Sequence, residues 1–128
     1  FMAKIELTKG IKKIIFNNLG IIPVDRSKKD KSDVIEKSKK YLENDLVVGI
    51  FPEGTTEKGC GYLLPFKRGA VTLSYETNTD IIPFKISGEY KLFSRDLKIV
   101  FGKTYKAKKD VEKSNKELYD IINCIEDV

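Results

Sequence analysis

The chain contains 128 residues, of which 41% are hydrophobic and 34% charged, with a net charge of +5 and no histidine. This length fits one small domain, and no apolar run approaches the roughly 18 residues that a membrane-spanning helix needs. Cys60 and Cys124 lack histidine partners and metal-ligand spacing, which argues against a zinc site. No export signal is recognisable, so we expect a cytoplasmic protein.

The first half of the chain alternates between strand and helix patterns. An extended segment is predicted at Met2–Leu7, a helix at Lys9–Leu19 and a short strand at Ile21–Val24. Asp33 and Glu36 have the spacing of a capping box, followed by an amphipathic helix to near Asn44. The run Leu46–Phe51 predicts a buried strand, and Pro52–Leu64 predicts a glycine-rich loop.

The second half continues this alternation. A helix is predicted at Gly69–Tyr75, and strands at Ile81–Ile86 and Leu97–Phe101, with Pro83 at an edge or irregular position. Ser114 and Glu117 resemble a second capping box, and the apolar stripe of the last helix comprises Leu118, Ile121, Ile122 and Ile125. The sequence therefore predicts a single compact α/β domain with a largely parallel sheet flanked by helices.

The most informative segment is Phe51-Pro52-Glu53-Gly54-Thr55, a turn that follows the predicted buried strand. Ligands of open α/β sheets bind at the carboxyl ends of parallel strands, so a turn there with a carboxylate is a candidate site. An ordinary loop has the same composition, because proline and glycine are common in turns. The neighbouring segments decide between these interpretations.

Two other segments pair a glycine and basic residues with an apolar run: Gly20-Ile21-Ile22-Pro23-Val24-Asp25-Arg26 and Pro65-Phe66-Lys67-Arg68-Gly69-Ala70. With the turn at residues 51–55, they resemble the second and third motifs and the Phe-Lys-x-Gly segment of the glycerolipid acyltransferases, which include lysophosphatidic acid acyltransferase. Phe1-Met2-Ala3-Lys4-Ile5-Glu6-Leu7 matches the segment before the second motif, and Asp80-Ile81-Ile82-Pro83-Phe84 is an imperfect fourth motif. The resemblance covers residues 1 to about 88 and makes residues 1–128 the C-terminal part of such a domain.

The resemblance implies roles for particular residues. Arg26 would bind the phosphate of the acceptor, which agrees with the planar fork that guanidinium offers to phosphate. Glu53 would accept hydrogen bonds beside the acceptor, Gly54 would allow close approach, and Thr55 would donate a hydrogen bond. Lys67 and Arg68 precede a predicted helix, so two cations and a helix N-terminus would meet one anion. In the competing interpretation, Phe66 fills the core and both cations are solvated.

Two departures from the family pattern stand out. Thr56 occupies a position where the family commonly has an arginine. The chain also lacks the first motif, a histidine followed four residues later by an aspartate, in which the histidine is the general base for the acceptor hydroxyl. The chain is therefore expected to be either part of a longer enzyme or a relative without catalytic activity.

The functional prediction is an acyltransferase of phospholipid biosynthesis with its catalytic histidine outside this chain. The acceptor would be lysophosphatidate or glycerol phosphate, the co-substrate acyl-CoA or acyl-carrier protein, with no metal or other cofactor. The alternative is an inactive relative that binds phosphorylated glycerolipid or an anionic membrane, and the basic charge also fits peripheral attachment at the inner face of a membrane. Nucleic acid is not expected as a partner, because aromatic residues do not alternate with a basic stripe.

Overall fold

The structure is a computed structural model that describes residues 2–4, 22–24, 32–54, 63–88 and 97–126. The chain divides into two compact units, Phe1–Phe51 and Pro52–Val128. The predicted helix at Lys9–Leu19 lies outside the described residues. Helices and strands both occur, which confirms an α/β composition.

The described residues of the first unit form two strands and one helix. Strands β1 (Met2–Lys4) and β2 (Ile22–Val24) pair in parallel, with Met2 opposite Ile22. Helix α1 (Ser32–Glu43) packs beside β2, as the amphipathic pattern predicts. The helix begins at Ser32, so the predicted cap at Asp33 is wrong. Asp33 lies in the first turn, where its negative charge interacts favourably with the positive end of the helix dipole.

The predicted buried strand at Leu46–Phe51 is wrong for the described part of the chain. This run has no strand assignment, although the Met2 amide donates to the Gly49 carbonyl at 3.0 Å. Three of its side chains are exposed, Val47 to 94% and Leu46 and Phe51 to 52% each, and Val48 and Ile50 are half-buried. A strand needs a ladder of backbone partners as well as an apolar sequence, and only the second condition is visible in the sequence.

In the second unit, residues 63–88 and 97–126 form two helices and a two-stranded sheet. Its elements are α2 (Gly69–Thr77), β3 (Phe84–Ser87), β4 (Lys98–Phe101) and α3 (Val111–Asn123). The core is formed by the buried side chains of Val71, Ala107, Leu118, Ile122 and Ile125. The apolar stripe predicted for the last helix is therefore confirmed as core at Leu118, Ile122 and Ile125, with Leu118 only 1% exposed, whereas Ile121 is half-buried.

Strands β3 and β4 are antiparallel, with Phe84 opposite Phe101 and Ile86 opposite Ile99. The described strands thus form one parallel and one antiparallel pair, so the largely parallel sheet is not found among them. An isolated bridge joins Ile81 to Tyr105 before β3 begins. The buried Pro83 lies between that bridge and the strand, which agrees with the predicted irregular position.

Asp110, not Ser114, caps helix α3. The Asp110 carboxylate accepts a hydrogen bond from the Lys113 amide at 3.0 Å. Ser114 is fully buried inside the helix, and its hydroxyl accepts from the Lys108 amide at 2.9 Å. Both residues are good N-cap types followed by acidic side chains, and the buried position of Ser114 cannot be read from the sequence.

The segment between β4 and α3 is held by buried hydroxyls and an ionic cluster. Ser74 of α2 accepts from the Ala107 amide at 3.1 Å and donates to the Thr79 carbonyl at 2.7 Å. Glu117 of α3 accepts from the Tyr105 hydroxyl at 2.8 Å and lies 3.1 Å from the Lys108 ammonium. Hydrogen bonds from Tyr105 and Lys108 hold the pKa of Glu117 below its ordinary value.

Candidate functional site

The Pro-Glu-Gly turn is tied to the Phe-Lys-x-Gly segment by two hydrogen bonds. The Lys67 amide donates to the Pro52 carbonyl at 2.8 Å. The Leu64 amide donates to the Glu53 carboxylate at 2.8 Å. Two motifs that are separate in the sequence therefore form one local structure within the second unit.

Two features of the structure favour glycine at position 54. Its φ of +62° lies in the left-handed region that disfavours side chains. A Cβ atom at Gly54 would also lie 2.8 Å from Nζ and 2.9 Å from Cδ of Lys67. The Lys67 side chain therefore lies directly over the Gly54 backbone, with its ammonium beside the turn.

The N-terminus of helix α2 follows immediately after Lys67. Arg68 occupies the N-cap position and makes no side-chain cap hydrogen bond. A Cβ atom at Gly69 would meet nothing within 4 Å, so the space beside the first residue of the helix is open. Uncapped amides and the positive end of the helix dipole favour an anion at such a position.

Arg68 is turned toward helix α3. Its guanidinium lies 2.8 Å from the Glu112 carboxylate, with side chains 66% and 73% exposed. An ion pair this exposed contributes little stability, so a phosphate could replace Glu112 as the partner of Arg68. Lys67 and Arg68 are both exposed while Phe66 packs against the core, as the competing interpretation expects. Exposed cations also remain accessible to a ligand.

Helix α3 packs against residues 63–66 and binds their backbone, which the sequence did not predict. The Asn115 amide group donates to the Phe66 carbonyl at 2.9 Å, and the Tyr119 hydroxyl donates to the Leu63 carbonyl at 3.1 Å. The Phe66 and Tyr119 rings meet edge to face with centroids 5.0 Å apart. The spacing of Glu112, Asn115 and Tyr119 indicates one helix face, but the sequence does not show what that face contacts.

A shallow groove of about 510 Å³ runs along the contact between this segment and α3. Its lining comprises Leu63, Pro65, Phe66, Glu112, Asn115, Lys116 and Tyr119. The Asn115 side-chain oxygen is buried without a hydrogen-bond partner among the described residues.

The structure brings together four of the predicted site residues. The Lys67 side chain lies against Gly54, and the neighbouring Glu53 accepts a hydrogen bond from Leu64, three residues before Lys67. Arg68 follows at the N-cap of α2. Arg26 and Thr55 lie outside the described residues. Across the parts of the chain that are described, no helix is both long and apolar enough to cross a membrane.

Comparison with known proteins identifies curated relatives of this chain. It is 37% identical over 78 residues to the 1-acyl-sn-glycerol-3-phosphate acyltransferase alpha of Mus musculus, covering 59% of this chain and 27% of the relative. It is 34% identical over 76 residues to the 1-acyl-sn-glycerol-3-phosphate acyltransferase of Helicobacter pylori, covering 59% of this chain and 32% of the relative. The chain thus spans less than a third of either protein. No solved structure matches it.

A family model gives the broader assignment. The model described as Acyltransferase matches residues 1–87, which include both motifs joined at Gly54 and Lys67. This match covers more than half of the 128 residues. The chain therefore belongs to the acyltransferase family.

Proposed function

We propose that this chain is the acceptor-binding part of an acyltransferase of phospholipid biosynthesis that acylates 1-acylglycerol 3-phosphate. The observation that carries the proposal is the packing of Lys67 over Gly54, which places a cation where the Pro-Glu-Gly turn meets the uncapped start of α2. The acyl donor would be acyl-CoA or acyl-carrier protein. The names of the relatives support this acceptor class.

Phosphate is the part of the acceptor that this arrangement suits. The Lys67 ammonium and the first amides of α2 would meet its oxygens, and Arg26 would supply a bidentate contact. Arg68 would exchange Glu112 for the phosphate, and Thr55 would donate a further hydrogen bond. All of these contacts bind and orient the acceptor, and none of them moves a proton.

Proton transfer would require a histidine outside this chain. The acceptor hydroxyl must lose its proton as its oxygen attacks the thioester carbonyl, and the thiol of the donor then leaves. The sequence contains no histidine. Glu53 has a structural role instead, since its carboxylate accepts a hydrogen bond from the Leu64 amide.

Equilibrium binding of glycerol 3-phosphate to the purified chain tests the proposal. We expect saturable binding that Arg26→Ala and Lys67→Ala each weaken by at least about tenfold, the effect of losing one charge-assisted contact. Lys37→Ala is the matched control, because this exposed lysine of α1 carries the same charge outside the motifs. Equal weakening by all three variants would show that net charge, not a site, governs binding and would contradict the proposal.

A further inference from the structure

The peptide group between Phe66 and Lys67 is held at both of its polar ends. Its N–H, which is the Lys67 amide, donates to the Pro52 carbonyl at 2.8 Å. Its C=O, which is the Phe66 carbonyl, accepts from the side-chain amide of Asn115 at 2.9 Å. The Pro-Glu-Gly turn therefore holds one end of this peptide group, and helix α3 holds the other.

The orientation of this peptide group sets the direction in which the Lys67 side chain leaves the backbone. A peptide group is planar and includes the Cα atom of the residue that follows it, here Lys67. From that atom the Lys67 side chain extends over the Gly54 backbone, and the next residue, Arg68, is the N-cap of α2. With one hydrogen bond removed, the peptide group would rotate more freely, and the ammonium would spend less time beside the turn.

The surroundings of Asn115 favour orientation over stability. Its side chain is half-buried, and its Oδ1 atom is buried without a hydrogen-bond partner among the described residues. A buried acceptor without a partner destabilises a fold, so its presence calls for another explanation. The Phe66 carbonyl accounts for the orientation of the side chain, because only the amide nitrogen of Asn115 can donate to it.

The other polar contacts between α3 and this segment involve different groups. The Tyr119 hydroxyl donates to the Leu63 carbonyl at 3.1 Å, and the Glu112 carboxylate pairs with the guanidinium of Arg68. Neither is a hydrogen bond to the peptide group that precedes Lys67. These contacts hold α3 against the segment, whereas the contact of Asn115 also orients the backbone of Lys67.

We propose that Asn115 is a positioning residue for the proposed phosphate site, acting through the Phe66–Lys67 peptide group on the Lys67 ammonium. The inference rests on the proposed function, since it concerns the same site. Helix α3 lies beyond residues 1–87, which the family model matches. The hydrogen bonds of the structure, and not a motif, therefore point to Asn115.

Equilibrium binding of glycerol 3-phosphate to the full 128-residue chain tests this inference. Asn115→Leu should weaken binding by at least about threefold, the effect of one neutral hydrogen bond on an equilibrium. The melting temperature should stay nearly the same, because loss of the bond to Phe66 and removal of the unpartnered Oδ1 atom act in opposite directions. Asn115→Ala removes the same donor by shortening the side chain, and it provides a second variant if the first does not fold.

Two further variants of α3 are controls. Asn123→Leu makes the same exchange at the exposed last residue of the helix and should leave binding unchanged. Tyr119→Phe removes the hydrogen bond to Leu63, keeps the aromatic ring and should weaken binding less than Asn115→Leu. Hydrogen exchange at the Lys67 amide should be faster in Asn115→Leu than in Tyr119→Phe, because only the former frees this peptide group.

A double-mutant cycle with Lys67→Ala shows whether Asn115 acts through Lys67. In the Lys67→Ala background, Asn115→Leu should have little further effect on binding, since the side chain that it positions is absent. The proposal is overturned if Asn115→Leu binds like the wild type, or if it weakens binding equally in both backgrounds. Losses of binding that follow losses of melting temperature in Asn115→Leu and Tyr119→Phe alike would also overturn it, in favour of a purely structural role.

Binding by the wild-type chain separates failure of this inference from failure of the proposed function. Saturable binding that depends on Lys67 but not on Asn115 would reject the positioning role alone. Absence of binding, or binding indifferent to Lys67→Ala, would reject the proposed site and this inference with it.

Discussion

Gly54 and Gly69 flank the candidate site and differ in what a side chain would do there. At Gly54 the backbone is left-handed and Lys67 fills the space for a Cβ atom. At Gly69 that space is open and the residue begins a helix. Substitution of each by alanine therefore separates folding from ligand access.

We predict that Gly54→Ala lowers the free energy of unfolding by about 1–2 kcal/mol, the cost of a left-handed non-glycine residue. Displacement of Lys67 should also weaken glycerol 3-phosphate binding.

Gly69→Ala should leave stability unchanged or raise it by up to about 1 kcal/mol, since alanine favours a helix. It should nevertheless weaken binding, because the new methyl group enters the space beside the α2 amides. Denaturant unfolding and ligand titration measure both effects, and unchanged binding in Gly69→Ala would argue against a phosphate at this helix end.

At the scale of elements, buried hydroxyls join helices to the segment before α3. We predict that Ser74→Ala lowers the free energy of unfolding by about 1–3 kcal/mol, because the buried Ala107 amide loses its acceptor. Ser38→Ala is the control: Ser38 is also buried, but among the described residues its hydroxyl bonds only to the Val34 carbonyl of its own helix. Its loss should have little effect, since alanine is the better helix former. Similar losses in both variants would contradict this distinction.

Glu117 makes the free energy of unfolding depend on pH in the acidic range. Its pKa is lowered in the folded state by hydrogen bonds from Tyr105 and Lys108, relative to an ordinary value of 4.5. Its stabilising contribution is therefore complete above pH 4.5 and is lost as the pH falls through the lower folded value. Glu117→Gln should flatten the dependence of the melting temperature on pH in this acidic range. An unchanged profile would show that other carboxylates govern acid unfolding.

The helices were predictable from the sequence, and the pairing of strands was not. Apolar periodicity located α1 and α3 to within a few residues, because one buried face imposes it. The helix predicted at Gly69–Tyr75 coincides with α2, which has no comparable periodicity. The strand predicted at Leu46–Phe51 failed because apolar content does not supply backbone partners. The motifs singled out Glu53, Gly54 and Lys67, which the structure brings together, and their role in binding stays a prediction. The support from Asn115 and Tyr119 depends on how α3 packs against residues 63–66, which no local pattern encodes.

At the scale of the whole molecule, the lack of histidine separates the proposed acceptor binding from catalysis. We predict that the purified 128-residue chain transfers no acyl group above background, because it contains no histidine to deprotonate the acceptor hydroxyl. Phosphatidate formation from labelled lysophosphatidate and acyl-CoA is the assay. Transfer by the pure chain would mean that another residue acts as the base.

Acyl transfer by the gene product purified from its own cells is the most direct test of the central claim. The account predicts phosphatidate formation from lysophosphatidate and an acyl thioester. It also predicts that Lys67→Ala raises the KM for the acceptor by at least about tenfold while the melting temperature stays the same. Absence of transfer with both acyl-CoA and acyl-carrier protein donors, or acceptor kinetics indifferent to Lys67→Ala, would contradict it.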